Sequence, residues 1–285
     1  MNHGAIFVIA RLTLREAFRR RLLWALVGLT LVLVVATGWL FGKASELSPL
    51  EGGTQQLVLS QLLVMIAFMF SFVLTMTAAF AASPAIGPEI ENGLLLAVLA
   101  RPVRRADVLL GRWLGLAVVV VGYALAAGYL EIGAVWLTTN YTPLDPLAAP
   151  IYLAGETLIL LTLAIVFSTR IAPVASGAIA VVAFGLAWMG GVAGGVGNVL
   201  NNDTLRNAGF VAHLALPSDV LWGGAMYALE PPPAVLAAAG DQARIFTISP
   251  FFAGTTPPLE WLAWCAVWIV AALAIGVLLL RRREL

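Results

Sequence analysis

Two carboxylates stand where carboxylates are costly. Glu131 and Glu156 each lie inside an apolar run long enough to cross a bilayer. A charge near mid-bilayer costs on the order of 3 kcal/mol on insertion scales, so such a side chain turns toward a bundle interior. That placement suits a translocation path or a proton-linked site. It also suits a carboxyl that hydrogen-bonds a neighbouring helix or snorkels outward, and Glu156, close to the end of its run, favours this second role. Few other groups offer chemistry. Val174-Ala175-Ser176-Gly177 resembles the setting of an intramembrane serine nucleophile. Both histidines, His3 and His213, fall outside the apolar runs, so no base reaches that serine, and a metal site lacks ligands for the same reason. The single cysteine, Cys265, can close no disulfide within the chain and reads as a small core residue. No G-x-x-x-x-G-K-S/T loop occurs. The glycine-rich Gly190 to Gly197 stretch contains no lysine and suits close helix packing, with Gly191-x-x-x-Gly195 as the contact. These absences argue against an enzyme.

The elements that hold these residues follow from composition. Of 285 residues, 61% are hydrophobic and 11% charged, where soluble domains average roughly 25% charged. The expected solvent is lipid. A spanning helix needs about 20 apolar residues, and six segments qualify: 22–41, 57–82, 113–139, 151–169, 173–197 and 259–280. The first exceeds the roughly 7–15 residues of a signal-peptide core and is expected to remain as an anchor. The fourth and fifth are parted only by Arg170-Ile171-Ala172-Pro173, a tight turn in which proline opens the next helix.

Lysine and arginine set the expected orientation. With the N-terminus in the cytoplasm, thirteen of the sixteen fall in cytoplasmic segments, leaving Lys43, Arg206 and Arg244 outside. Both termini are then cytoplasmic, in a bacterial or archaeal inner membrane. The tryptophans Trp24, Trp39, Trp113, Trp136, Trp222 and Trp261 lie near the predicted boundaries and read as an interfacial belt. The chain forms one membrane domain, 1–285, without repeats.

Three segments outside the spans have patterns of their own. Over residues 5–21, Phe7, Ala10, Leu14, Ala17 and Phe18 recur at helical spacing beside an Arg11, Arg15, Arg19 stripe. This predicts an interfacial amphipathic helix with its arginines near anionic lipid. In the 83–112 connection, Glu89 and Glu91 precede a short apolar stretch that Arg101, Arg104 and Arg105 close, a polarity the helix dipole favours. It is too short to span, so it lies on the membrane or on a protein. The long 198–258 connection holds Asn201-Asn202-Asp203, a helical pattern over 204–216 and Pro231-Pro232-Pro233. Its apolar content predicts packing on the outer membrane face.

The 5–21 helix and the 83–115 connection together resemble those of the type-two ABC exporter permeases. In that family an acidic residue and a glycine precede an apolar stretch, a Pro-Val element and Gly-Lys at the third span. Here Glu89, Glu91 and Gly93, then Arg101-Pro102-Val103-Arg104-Arg105, then Gly111-Arg112 stand at those positions. Leu94 replaces the usual threonine and Arg104 the serine. The resemblance implies an all-α membrane protein with an N-terminal elbow helix, six spans, a cytoplasmic coupling helix and a partly helical outer loop. It further implies that 89–107 docks on a separate ATPase, two copies of which bind ATP and Mg. The permease itself would bind no cofactor, no metal and no nucleic acid, and would pair with itself or a close homologue. Two alternatives stay open: a subunit passing ATPase motion to periplasmic partners at the outer loop, and an ion-coupled carrier using Glu131.

Overall fold

The computed structural model describes residues 3–19, 21–47, 53–86, 104–238 and 249–282. Apolar runs in lipid must satisfy their backbone groups internally, which leaves the helix as the way to cross. Ten helices carry the described residues: α1 (His3–Arg19), α2 (Arg21–Leu47), α3 (Gly53–Ala82), α4 (Arg105–Thr139), α5 (Ala148–Phe167), α6 (Pro173–Val199), α7 (Asp203–Ala215), α8 (Ser218–Leu229), α9 (Pro233–Ala238) and α10 (Leu259–Arg281). Six of them, α2 to α6 and α10, are long and apolar enough to cross a membrane.

All six predicted spans are present, with shifted ends. The largest shift is at α4, which begins at Arg105 rather than near 113. Its 35 residues extend about 52 Å, well beyond a hydrocarbon core of roughly 30 Å. Arg105, Asp107 and Arg112 in its first turns mark the projecting part. Residues 105–107, assigned from sequence to a coupling helix, therefore belong to the third span's own helix.

The helix α5 is the axis of the fold. Ile159, Leu160, Leu161, Ala164 and Ile165 are buried among α3, α4, α6, α8 and α10, while α2 packs at the periphery, mainly on α4. There Gly38 approaches Ala134 and Thr138, and the Thr30 and Tyr123 hydroxyls hydrogen-bond each other. One end of the bundle gathers the cations Arg104, Arg105, Arg112, Arg170, Arg281 and Arg282; it is called the basic end below. On this half α1 lies across α4, where side chains on Gly111 and Gly115 would collide with Ile9, Thr13 and the Ala10 carbonyl. The packed face of α1 is Ile6, Ala10 and Thr13. Phe7 and Phe18, expected on the apolar face, are exposed together with Arg11, Arg15 and Arg19.

At the far end the chain does not leave the bundle surface after α6. Asn201 takes a positive φ of 50°, which asparagine tolerates. The Asn202 side chain accepts from Leu205 N at 3.2 Å and caps α7. The chain reverses, and α7 runs back down α6, with Gly197 against Leu205, Gly194 against Gly209 and Gly190 against Ala212. After Leu216 and Pro217, α8 returns toward the far end beside α5. The tip of this hairpin is pinned to α10: Trp268 Nε1 donates to the Ala215 carbonyl at 2.9 Å, and Cys265 Sγ to that of Pro217 at 3.7 Å. Those contacts lie six to nine residues along α10, about 9–14 Å from its start. The hairpin is thus re-entrant.

Three sequence expectations need correction here. The contact glycines of α6 are Gly190, Gly191, Gly194 and Gly197, whereas Gly195 faces open space; the packing stripe follows i, i+4, i+7 spacing toward α7. Trp222 is no belt residue: it is 2% exposed and packs against Phe68 with ring centroids 5.4 Å apart. Trp113 is half-buried, with its Nε1 donating to Thr162 Oγ1 at 2.9 Å across the α4–α5 contact.

Candidate functional site

Two constructions stand out, one at each end of α10. The first is a polar cluster at the tip of the hairpin. Glu156, on α5, is 1% exposed and accepts from Ser71 Oγ of α3 at 2.7 Å. Asp219 in the first turn of α8 lies close enough to Glu156 for the two carboxyls to interact electrostatically. His213, in the last turn of α7, meets Asp219 with 3.0 Å between Nε2 and Oδ2. An acid at a helix start and a histidine at a helix end both suit the local dipoles. The His213 ring meets Trp261 of α10 in a T-shaped contact, 5.4 Å between centroids. The Asp219 carboxylate fills the space in which a Gly191 side chain would begin. The pair therefore locks α7, α8 and α6 together at one point.

Glu131 has a different setting. It is buried on α4 beside Thr37 of α2. It thus faces a peripheral helix, away from the hairpin, and the two intramembrane carboxylates do not share a site.

A third acid pins the far-end loops. The Glu230 carboxylate accepts from Ala253 N at 2.6 Å, and its carbonyl accepts from Leu144 N at 2.9 Å. Tyr141 adds a hydroxyl bond to the Leu229 carbonyl at 3.0 Å. Burial pushes the Glu230 carboxyl up to about 7, against the pull of the Ala253 and Gly254 backbone N–H groups. A carboxyl raised on folding stabilises the folded form most below its unfolded value of 4.5, and that contribution is lost as pH rises through about 7. The unfolding midpoint should therefore fall between about pH 5 and pH 8 by more in the parent than in Glu230→Gln. Solvent screening limits the difference to about 1–2 kcal/mol. Equal pH slopes for the two proteins would contradict this.

The second construction is at the basic end. The last carbonyls of a helix have no partner within it. Those of α10 receive two arginines from elsewhere in the chain. Arg105 Nη1, at the start of α4, donates to the Leu280 and Arg281 carbonyls at 3.1 Å each. Arg170 Nη2, in the α5–α6 turn, donates to the Leu279 carbonyl at 2.9 Å. Cations at the negative end of the helix dipole add to these bonds. Just above, Gly276 lets α10 close on Val166 of α5 and Leu109 of α4.

Of the residues expected to couple to an ATPase, Glu89, Glu91, Gly93, Arg101 and Pro102 lie outside the described residues. Arg104 is the exposed N-cap of α4, and Arg105 is engaged with α10. His213, Asp219 and Arg170 had no functional assignment from sequence. Arg170 could have been singled out as the lone cation in a four-residue turn between spans. His213 and Asp219 carry no such signal, because they meet only once the hairpin re-enters.

These features define a polytopic helical membrane protein with most of its described cations gathered at one end and an interrupted, re-entrant connection before its last span. The profile of the ABC-2 family transporter proteins matches residues 7–285, and the chain belongs to that family. It is thus the membrane-spanning subunit of an ABC transporter, a type of subunit that generally pairs with an ABC ATPase and is generally not catalytic itself. No curated protein matches the chain significantly.

Proposed function

We propose that this chain is the permease of an ATP-driven exporter, converting ATP hydrolysis in a separate ATPase into movement of substrate across the cytoplasmic membrane. The observation that carries this reading is the joining of the basic end, through α10, to a re-entrant hairpin at the far end. An exporter needs such a connection between the face where ATP is hydrolysed and the face where substrate leaves. The basic end is the cytoplasmic one, because short cationic segments are retained there. ATP and Mg bind in the partner, two ATPase copies serve two permease copies, and the transition is a rigid-body rearrangement between halves. Glu156 belongs to the moving part through its neighbour Asp219, while Glu131 secures α2.

Orientation is tested with single cysteines at two exposed positions, Arg104 and Ala237, in a Cys265→Ala background. An impermeant thiol reagent added to intact cells should label Ala237→Cys and reach Arg104→Cys only after permeabilisation. The opposite pattern refutes the orientation. The function is tested by purifying the tagged permease in detergent. A co-purifying ATPase whose turnover changes on adding the permease's substrate supports it, and a permease that binds no ATPase refutes it.

A second reading has one observation in its favour. Glu230, Tyr141 and Leu144 pin the far-end loops into a formed surface, which suits delivery of motion to a periplasmic protein. A partner captured only when this surface is intact, with no substrate moved, supports that reading.

A further inference from the structure

We propose that Arg105 and Arg170 are positioning residues that make α10 a connecting rod between the basic end and the re-entrant hairpin. The proposal rests on the reading of the chain as an ATPase-driven permease. Every link in the rod is a contact already described. At its lower end, three hydrogen bonds of 2.9–3.1 Å join the Leu279, Leu280 and Arg281 carbonyls to α4 and to the α5–α6 turn. These partners are 109 to 176 residues away in sequence, so they bind separate parts of the bundle. At its upper end, Trp268 holds the Ala215 carbonyl, Cys265 that of Pro217, and Trp261 supports the His213 ring. Between the two sets of contacts the helix is unbroken. A continuous helix carries a displacement along its axis with little loss, because shortening it means breaking backbone bonds.

The clamp needs a cationic hydrogen-bond donor at both positions. A planar guanidinium can donate to two carbonyls at once, as Arg105 does here. With α1 packed on the same stretch of α4 through Gly111 and Gly115, any shift of the α4 start carries α1, the α5–α6 turn and α10 together. The hairpin tip must then follow α10, or Trp268 loses its acceptor.

The test uses the purified permease–ATPase complex in nanodiscs. An environment-sensitive fluorophore is placed at Val211→Cys, an exposed α7 position, and its ATP-dependent signal is normalised to the ATPase recovered. Protein without the Val211 substitution sets the background from buried Cys265. Arg105→Gln with Arg170→Gln should reduce the normalised signal at least about five-fold, the lower bound of typical coupling between sites. Arg105→Lys with Arg170→Lys keeps charged donors and should restore about half or more, which a simple packing role would not predict. An undiminished signal in the glutamine pair overturns the proposal, as does an equal loss in the lysine pair. Loss of the ATPase from the glutamine pair also overturns it, by making the arginines docking residues. A parent complex with no ATP-dependent signal at Val211 refutes the connecting rod while leaving the ATPase partnership standing. A parent that binds no ATPase removes the underlying reading as well.

Discussion

Gly209→Leu should unseat the re-entrant hairpin. Even the first added carbon would sit 2.6 Å from Gly194 Cα and 3.1 Å from the Gly190 carbonyl. Both neighbours are backbone atoms of α6, so no side chain can swing aside. The helices must separate, and the stripe of glycine contacts from Gly190 to Gly197 opens with them. Overpacking of this kind costs about 1–3 kcal/mol, occasionally more, and the upper end is expected at a backbone-to-backbone contact. The unfolding midpoint of the detergent-solubilised protein should drop by roughly 2–4 °C for each kcal/mol lost. Trp268 fluorescence should redshift as the Ala215 carbonyl moves away. Gly195→Leu is the control: it adds the same side chain on α6, one residue beyond Gly194, where nothing lies within 4 Å, and should leave the midpoint near its parent value. Equal effects of the two substitutions would contradict the packing described.

The second large effect is expected at the other face. Glu89→Lys with Glu91→Lys should detach the ATPase. Both residues lie in the stretch that the family resemblance assigns to docking, before the described start of α4, so the substitutions touch no span. Like charges brought together at an interface cost several kcal/mol, and each 1.4 kcal/mol is about ten-fold in affinity. Recovery of the ATPase with the tagged permease should fall at least about ten-fold while the permease itself inserts normally. Undiminished recovery would remove 89–107 as the docking element and leave the clamp residues as the next candidates.

Much of this fold was legible in the chain, and what was missed was missed for identifiable reasons. Span number follows from hydropathy, because a run such as Val64 to Ala82 has no alternative in water. The Pro173 start of α6 was readable because proline suits the first helical position. The sequence pattern places the start of α4 eight residues late, because Arg105, Asp107 and Arg112 look like loop, whereas a helix projecting past lipid can be charged. The 203–215 helix was expected one residue away, yet its direction was hidden. A 13-residue helix after a turn reads as a surface element, and only tertiary contact with Gly194 and Trp268 shows that it goes back in. That reversal also explains the candidate site. In sequence His213 lies outside the apolar runs, while the fold carries it to Asp219. Sequence sets Glu156 nearer the end of its run than Glu131, but only packing shows that one acid stands beside α2 and the other beside Ser71 of α3.

The hairpin pinned to α10 also bears on how the protein is made. Neither α7, with 13 residues, nor α8, with 12, is long enough to partition into lipid as a span of its own. When the ribosome has finished Leu229, the acceptors on Ala215 and Pro217 still lack Trp268 and Cys265. The hairpin must therefore wait at the membrane surface, half-built, until the final helix emerges and is inserted beside it. Synthesis order makes α10 the closing piece, and a nascent chain stalled before Leu259 should remain open to quality-control proteases at that hairpin.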